Sequence, residues 1–161
     1  MDYPSEDIAY QLLSELDIPY ERLDHIPITS VQGLDFQLPG QQVKNLVLKT
    51  KKSREIYLVI LRDEKQADLK RMAERLEKNR LSFANPQEVE NLLHAKPGFI
   101  TPFGLLFDKE NKVQVVIDTE VDRTLTVGFH PFVNTTTLNI AFTDFLRVLD
   151  KLNHPPIYVD L

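Results

Sequence analysis

Four short segments hold the residues whose types and spacing could do chemistry. The first is Val43-Lys44-Asn45-Leu46-Val47-Leu48. If Leu46 and Leu48 face a core, the two-residue period of a strand puts Lys44 on the same face. A lysine there either snorkels to solvent or stands as a cation in a pocket, able to hold a phosphate or polarise a carbonyl. The second is Lys96-Pro97-Gly98-Phe99-Ile100-Thr101-Pro102-Phe103-Gly104. Two prolines and two glycines can make a helix stop and tight turn. They can also make a rigid loop whose backbone N–H groups meet an oxyanion.

The third segment is His130-Pro131-Phe132-Val133-Asn134-Thr135-Thr136. Its histidine is either a structural residue at a strand end or an acid–base and hydrogen-bonding group. Asn134 and Thr135 suit a turn, and equally suit the hydroxyls of a ribose. The fourth segment is basic. Lys49, Lys51, Lys52 and Arg54 form either a solvated turn or a phosphate-binding rim beside Lys44.

Other chemistries lack their residues. No cysteine is present among the 161 residues, which excludes disulfides, thiolate metal sites and a cysteine nucleophile and fits a reducing compartment. His25, His94, His130 and His154 have no ligand spacing, so neither a metal nor another cofactor is expected. No phosphate-binding glycine loop, HExxH, EF-hand or Gly-x-Ser-x-Gly pattern occurs. The net charge of −5 argues against a protein that coats RNA or DNA, though a local basic patch could grip one terminus. The N-terminus is acidic, and the longest apolar run, Ile56 to Leu61, is far short of the ~20 residues of a membrane span. A cytoplasmic protein without membrane contact is expected.

These segments need elements to position them. A first helix is expected from a Ser5 cap, with Ile8, Leu12, Leu13 and Leu16 as its stripe. Tyr20 to His25 reads as a strand and Ile26 to Gln42 as a loop. Val43–Leu48 and Glu55–Leu61 read as strands, and Asp68–Lys78 as a helix. Asn85, Pro86 and Glu88 supply the cap, first-turn proline and capping-box acid of another helix. Gly104–Phe107 and Val113–Ile117 suggest a hairpin. Leu125–Phe129 and Thr136–Ala141 suggest two more strands, before a last helix capped by Thr143. Without regular βαβ alternation, this order predicts one α+β domain over residues 1–161, with a mixed, mainly antiparallel sheet.

Taken together, the segments around Lys44-Asn45, Gly98 to Gly104, and His130-Pro131 with Asn134-Thr135 resemble the YbaK/prolyl-tRNA synthetase-associated domain superfamily in order and separation. The resemblance covers nearly the whole chain. The third segment is of the His-Pro-x-x-Asn-Thr type, as in the ProX/PrdX branch that edits Ala-tRNA(Pro). The Cys-tRNA(Pro) branch has a Ser-Ala-Gly-x-Arg-Gly type there. Val43 stands where relatives often have cysteine. The resemblance implies a sheet curled toward a barrel with helices outside. It also implies hydrolysis of the aminoacyl ester of mischarged tRNA(Pro) without a cofactor, with the acceptor end as partner and prolyl-tRNA synthetase as a further one.

By the same resemblance, Lys44, Asn45 and His130 would be catalytic. Gly98, Phe99, Ile100, Thr101, Pro102, Asn134 and Thr135 would bind the aminoacyl-ribose end. Phe36, Leu38, Phe99, Ile100 and Phe129 are candidate walls of the aminoacyl pocket. Two alternatives stand beside this reading: a deacylase for another small residue (Cys, Ser or Thr), and a non-catalytic module that binds tRNA or a synthetase.

Overall fold

The structure, a computed structural model, describes residues 3–27, 40–96 and 98–161. Phe36, Leu38 and Pro97 lie outside these residues, as does most of the loop expected before Gln42.

The strands are β1 (Glu21–Asp24), β2 (Gln41–Lys49), β3 (Ile56–Arg62), β4 (Ser82–Phe83), β5 (Val113–Asp118), β6 (Thr126–Phe129), β7 (Thr136–Ala141) and β8 (Ile157–Val159). They form one mixed sheet in the order β1-β7-β6-β2-β3-β5-β8, with β4 added beside β2. The pairs β1–β7, β6–β7, β2–β3 and β2–β4 are antiparallel, while β2–β6, β3–β5 and β5–β8 are parallel. Among the described residues β1 and β8 are the two ends of this order, so the sheet is not closed into a barrel.

The helices are α1 (Asp7–Glu15), α2 (Leu69–Arg75), α3 (Pro86–Leu93) and α4 (Phe142–Lys151). Buried residues of α1, α3 and α4, among them Leu13, Leu93 and Phe145, join the larger apolar cluster with Val43, Val47, Val127 and Leu138. Met72 and Ala73 of α2 join a smaller cluster with Leu48, Val59 and Leu61. The alternating side chains of β2 therefore feed two cores, Val43 and Val47 into one and Leu46 and Leu48 into the other.

Local chemistry explains most of these boundaries. Asn85 Oδ1 accepts from Glu88 N at 2.8 Å and Glu88 Oε1 accepts from Asn85 N at 3.1 Å, a complete capping box with Pro86 in the first turn. Asp68 caps α2 by accepting from Arg71 N. Two expected caps differ. The Ser5 hydroxyl does not cap α1; its backbone carbonyl accepts from Ile8 N instead. Thr143 lies within the first turn of α4, whose cap position is Ala141.

The expected hairpin at Gly104–Ile117 is not formed. Pro102–Phe107 is a 3-10 helix, and β5 runs parallel to β3 instead of returning on its own neighbour. Pro102 suits a helical first turn, and Gly104 N donates to Thr101 O at 3.0 Å. β4 and β8 appear in addition to the expected strands; both are only two or three residues long.

Gly104 fixes how this turn meets α3. A Cβ there would lie 2.6 Å from the backbone oxygen of Leu93, closer than any tolerable contact. Gly104→Ala should therefore lower the unfolding free energy by about 1–3 kcal/mol through forced displacement of the turn. Urea denaturation checks this, and an unchanged midpoint would refute the close-packing argument.

Candidate active site

β2 positions the first segment. Lys44 shares a face with Leu46 and Leu48, as its spacing suggests, and Asn45 shares the opposite face with Val43 and Val47. The two side chains thus leave β2 on opposite sides. Lys44 is half-buried and has no acid within ion-pair distance among the described residues. Its nearby acid is Asp63, just beyond the end of β3. Burial pushes the Asp63 carboxyl above its usual range, and the positive charge of Lys44 partly opposes that rise.

The third segment follows from the parallel pairing of β2 and β6. Gln41 is level with Val127 and Gln42 with Gly128. That pairing stops at Gln42 and Gly128, two residues short of Lys44 on one strand and of His130 on the other. Phe132 has a left-handed backbone (φ 66°) and is buried, so the chain turns sharply after His130-Pro131. Asn134 is half-buried. Thr135 is exposed, and its carbonyl accepts from His25 N at 2.9 Å.

An aromatic stack holds the second segment against the third. His94, the left-handed cap of α3, stacks on Phe107 with centroids 4.0 Å apart and planes within 7°. Phe107 in turn meets Phe132 edge-on at 6.2 Å. Both ends of the 95–106 stretch are thus clamped to each other and to the turn after His130. Within the stretch, Gly98 takes φ 84°, Phe99 N donates to Lys96 O at 3.0 Å, and Lys96 Nζ lies 4.4 Å from the centre of the Phe99 ring. Phe99 and Ile100 are half-buried, and Thr101 and Pro102 are buried. Phe129, a candidate pocket wall, instead packs on Phe145 in the core at 4.5 Å.

Three buried polar atoms on these segments have no hydrogen-bond partner: Asn45 Oδ1, Thr101 Oγ1 and His130 Nδ1. Asn139 Oδ1 is the fourth such atom among the described residues. A buried group left unpaired costs roughly 1–3 kcal/mol, so each of the three is a point at which a bound molecule could supply the missing partner.

Electrostatics keep the site's histidine neutral. Burial, with a smaller repulsion from His25, pulls the His130 imidazole down to about 4. His25 was not among the residues that sequence singled out. Its Nε2 meets Thr137 Oγ1 at 2.8 Å, a contact that the pairing of β1 with β7 makes, and its Nδ1 meets the carbonyl of its neighbour Ile26 at 2.9 Å.

The basic segment divides. Lys49 Nζ donates to Glu88 Oε1 at 2.6 Å and is directed at α3, not at a rim. Ser53 Oγ donates to the other oxygen of Glu88. With Lys49 as the largest influence, these bonds hold the Glu88 carboxyl down at about 2. Lys51, Lys52 and Arg54 line a separate basin with Lys78 and Arg80. Among the described residues, no group of three acidic or histidine side chains is arranged to hold a metal, and no helix is long and apolar enough to cross a membrane.

The chain belongs to the aminoacyl-tRNA editing domain family, whose model matches residues 32–148. It is 29% identical over 152 residues to the prolyl-tRNA editing protein ProX of Acetoanaerobium sticklandii, covering 92% of this chain and 93% of that protein. It is 32% identical over 168 residues to prolyl-tRNA synthetase associated domain-containing protein 1 of Xenopus laevis, covering 98% and 96%. In fold it is similar to the crystal structure of a candidate trans-editing enzyme for prolyl-tRNA synthetase, with a TM-score of 0.68 at 15% identity, covering 100% of this chain and 99% of that one.

The His130 environment sets a pH dependence. Its folded pKa of about 4 lies below the ordinary 6.5, so the unfolded chain binds the extra proton first. Stability from this group should be complete above pH ~6.5 and decline toward pH ~4, by on the order of 3 kcal/mol in all. Denaturation midpoints of the native chain and His130→Asn across this window measure it. The native-minus-variant difference should shrink as pH falls, and a constant difference would contradict the buried neutral ring.

Proposed function

We propose that this protein is a trans-editing deacylase that hydrolyses the ester of mischarged Ala-tRNA(Pro). The observation that carries the reading is the set of unpaired buried atoms of Asn45, Thr101 and His130, one on each segment that the resemblance assigns to the site. A 3′-terminal aminoacyl-adenosine has hydroxyls, an amine and an ester carbonyl to offer such atoms. The similarity to the prolyl-tRNA editing protein ProX supports tRNA(Pro) as substrate. The similarity to prolyl-tRNA synthetase associated domain-containing protein 1 supports that synthetase as a partner, which would place the work in the cytoplasm.

In this reading a water oxygen attacks the ester carbonyl, and the bond to the ribose oxygen breaks. Free amino acid leaves, and the proton released by water ends on the ribose hydroxyl of the tRNA. Lys44, half-buried with no acid within ion-pair distance among the described residues, holds the terminal phosphate or stabilises the charge growing on the carbonyl oxygen. His130 is neutral, so it offers one hydrogen-bond donor and one acceptor and does not add a second cation. Asn45 and Thr101 fix the aminoacyl-ribose end, with Asn134 and Thr135 beside it. The loop Gly98 to Pro102 closes over the amino acid, with Phe99 and Ile100 as its apolar wall. No strong nucleophile is needed, because holding the ester and the water in line supplies several kcal/mol of barrier lowering.

The need for such an enzyme follows from binding limits. A synthetase pocket that accepts proline rejects a smaller apolar residue by only ~1–3 kcal/mol, so accuracy requires a second, hydrolytic sieve. This sieve would admit alanine and exclude the proline ring.

Deacylation assays with Ala-, Cys-, Ser-, Thr- and Pro-tRNA(Pro) test the reading. Alanine should be released fastest and proline spared; a different preferred residue would reassign the sieve, and binding without turnover would make the protein a tRNA-binding module. Lys44→Ala should reduce Ala-tRNA(Pro) hydrolysis by at least about 100-fold, the scale of losing one aimed charge donor, with unchanged circular dichroism. Full activity in that folded variant would overturn the role of Lys44.

A further inference from the structure

The turn after β2 and the segment before β4 carry cations that the chemistry above does not use. Lys51, Lys52, Arg54 and Arg80 are exposed and line one basin of about 930 Å³. None of the four has an acid within ion-pair distance among the described residues. Lys78, also on this basin, is matched by Glu55 at 2.8 Å. In a chain of net charge −5, a concavity lined by five cations and the single acid Glu55, itself paired with Lys78, runs against the bulk composition.

The turn that presents Lys51, Lys52 and Arg54 is braced, while Arg80 comes from the segment between α2 and β4. Thr50 N donates to Glu55 O and Ser53 N to Thr50 O, both at 3.0 Å, and Glu55 N donates to Thr50 Oγ1 at 3.0 Å. Lys52 and Ser53 both sit in the left-handed region, and the Ser53 hydroxyl is tied to Glu88. Lys49 is consumed by the same glutamate, which leaves the basin cations to face outward. Charges on a braced turn bind a fixed anion with less ordering cost than charges on a free loop.

The basin is not beside Lys44. Six residues of β2 and its end separate Lys44 from Thr50, roughly 20 Å at about 3.3 Å per residue. A stacked nucleic-acid strand advances roughly 3.4 Å per nucleotide. A strand that runs along β2 from a terminal nucleotide at Lys44 would reach the basin on the order of six or seven stacked nucleotides back, since RNA rises somewhat less per nucleotide than DNA. We propose that the basin of Lys51, Lys52, Arg54 and Arg80 is a second RNA-binding site, which takes backbone phosphates of the acceptor stem and not of the single-stranded end. The proposal rests on the editing reading for where the 3′ end lies. The charge, bracing and exposure of the basin do not depend on that reading.

The test uses the full chain and the variant K51A/K52A/R54A/R80A, whose four changes are all exposed. Affinity for uncharged tRNA(Pro) is measured against salt, and deacylation is measured on intact Ala-tRNA(Pro) and on an alanylated fragment holding only the CCA end. The variant should bind tRNA about tenfold or more weakly, with a salt slope lower by about three. It should hydrolyse the CCA fragment at the native rate. Native affinity and slope in the variant would overturn the proposal. So would an equal loss on the short fragment, which would place these cations at the catalytic end. If the native chain hydrolyses neither substrate, the editing reading fails, and the binding arm still decides whether the basin holds RNA.

Discussion

Strand β2 cannot pair with β6 and β4 along the whole of one edge. β6 takes Gln41 and Gln42, β4 takes Leu48 and Lys49, and β3 occupies the other edge from Val43 to Lys49. Between the first two claimants, Val43 to Val47 has no strand on that edge among the described residues. Backbone and side-chain polar groups there must find other partners. Lys44 and Asn45 lie in this interval, and His130 stands where β6 has stopped pairing. The candidate site is thus a consequence of a ladder that splits, much as ligands elsewhere bind where strands diverge.

Packing then makes the gap definite. The larger core holds Val43, Val47 and the residues around the Gly98 to Pro102 loop on one side of β2, and α2 closes the other side. His94, Phe107 and Phe132 clamp the loop to the turn after His130. None of these aromatic contacts involves the polar atoms that would meet a substrate. The scaffold can therefore be rigid while Asn45, Thr101 and His130 carry unpaired buried groups.

What sequence could reveal depended on how local the cause was. Asn85, Pro86 and Glu88 specify the start of α3 within four residues, and that start is formed as expected. The two-residue period placed Lys44 with Leu46 and Leu48, because alternation is a property of the strand alone. Leu105, Leu106 and Phe107 suggested a strand, since a short apolar run does not distinguish a strand from a turn of helix; the close approach of Gly104 to Leu93 decided the matter. The partner of Lys49 was equally illegible, because Glu88 lies 39 residues away. Unpaired atoms and the neutral state of His130 are properties of packing, so no motif could announce them. The four basic residues of the turn were visible as a group, but which of them stayed free was not.

Glu88 is a shared ligand. One of its oxygens receives both the Lys49 ammonium and the Asn85 N–H, and the other receives the Ser53 hydroxyl. Truncating either Lys49 or Ser53 leaves the carboxylate short of partners, and truncating Glu88 strands all of them at once. Energies assigned to these residues one at a time will not sum. The helix that leads into the Gly98 to Pro102 loop and the turn that carries Lys51, Lys52 and Arg54 thus answer to the same two oxygen atoms, and natural variation at one of them constrains what the other can tolerate.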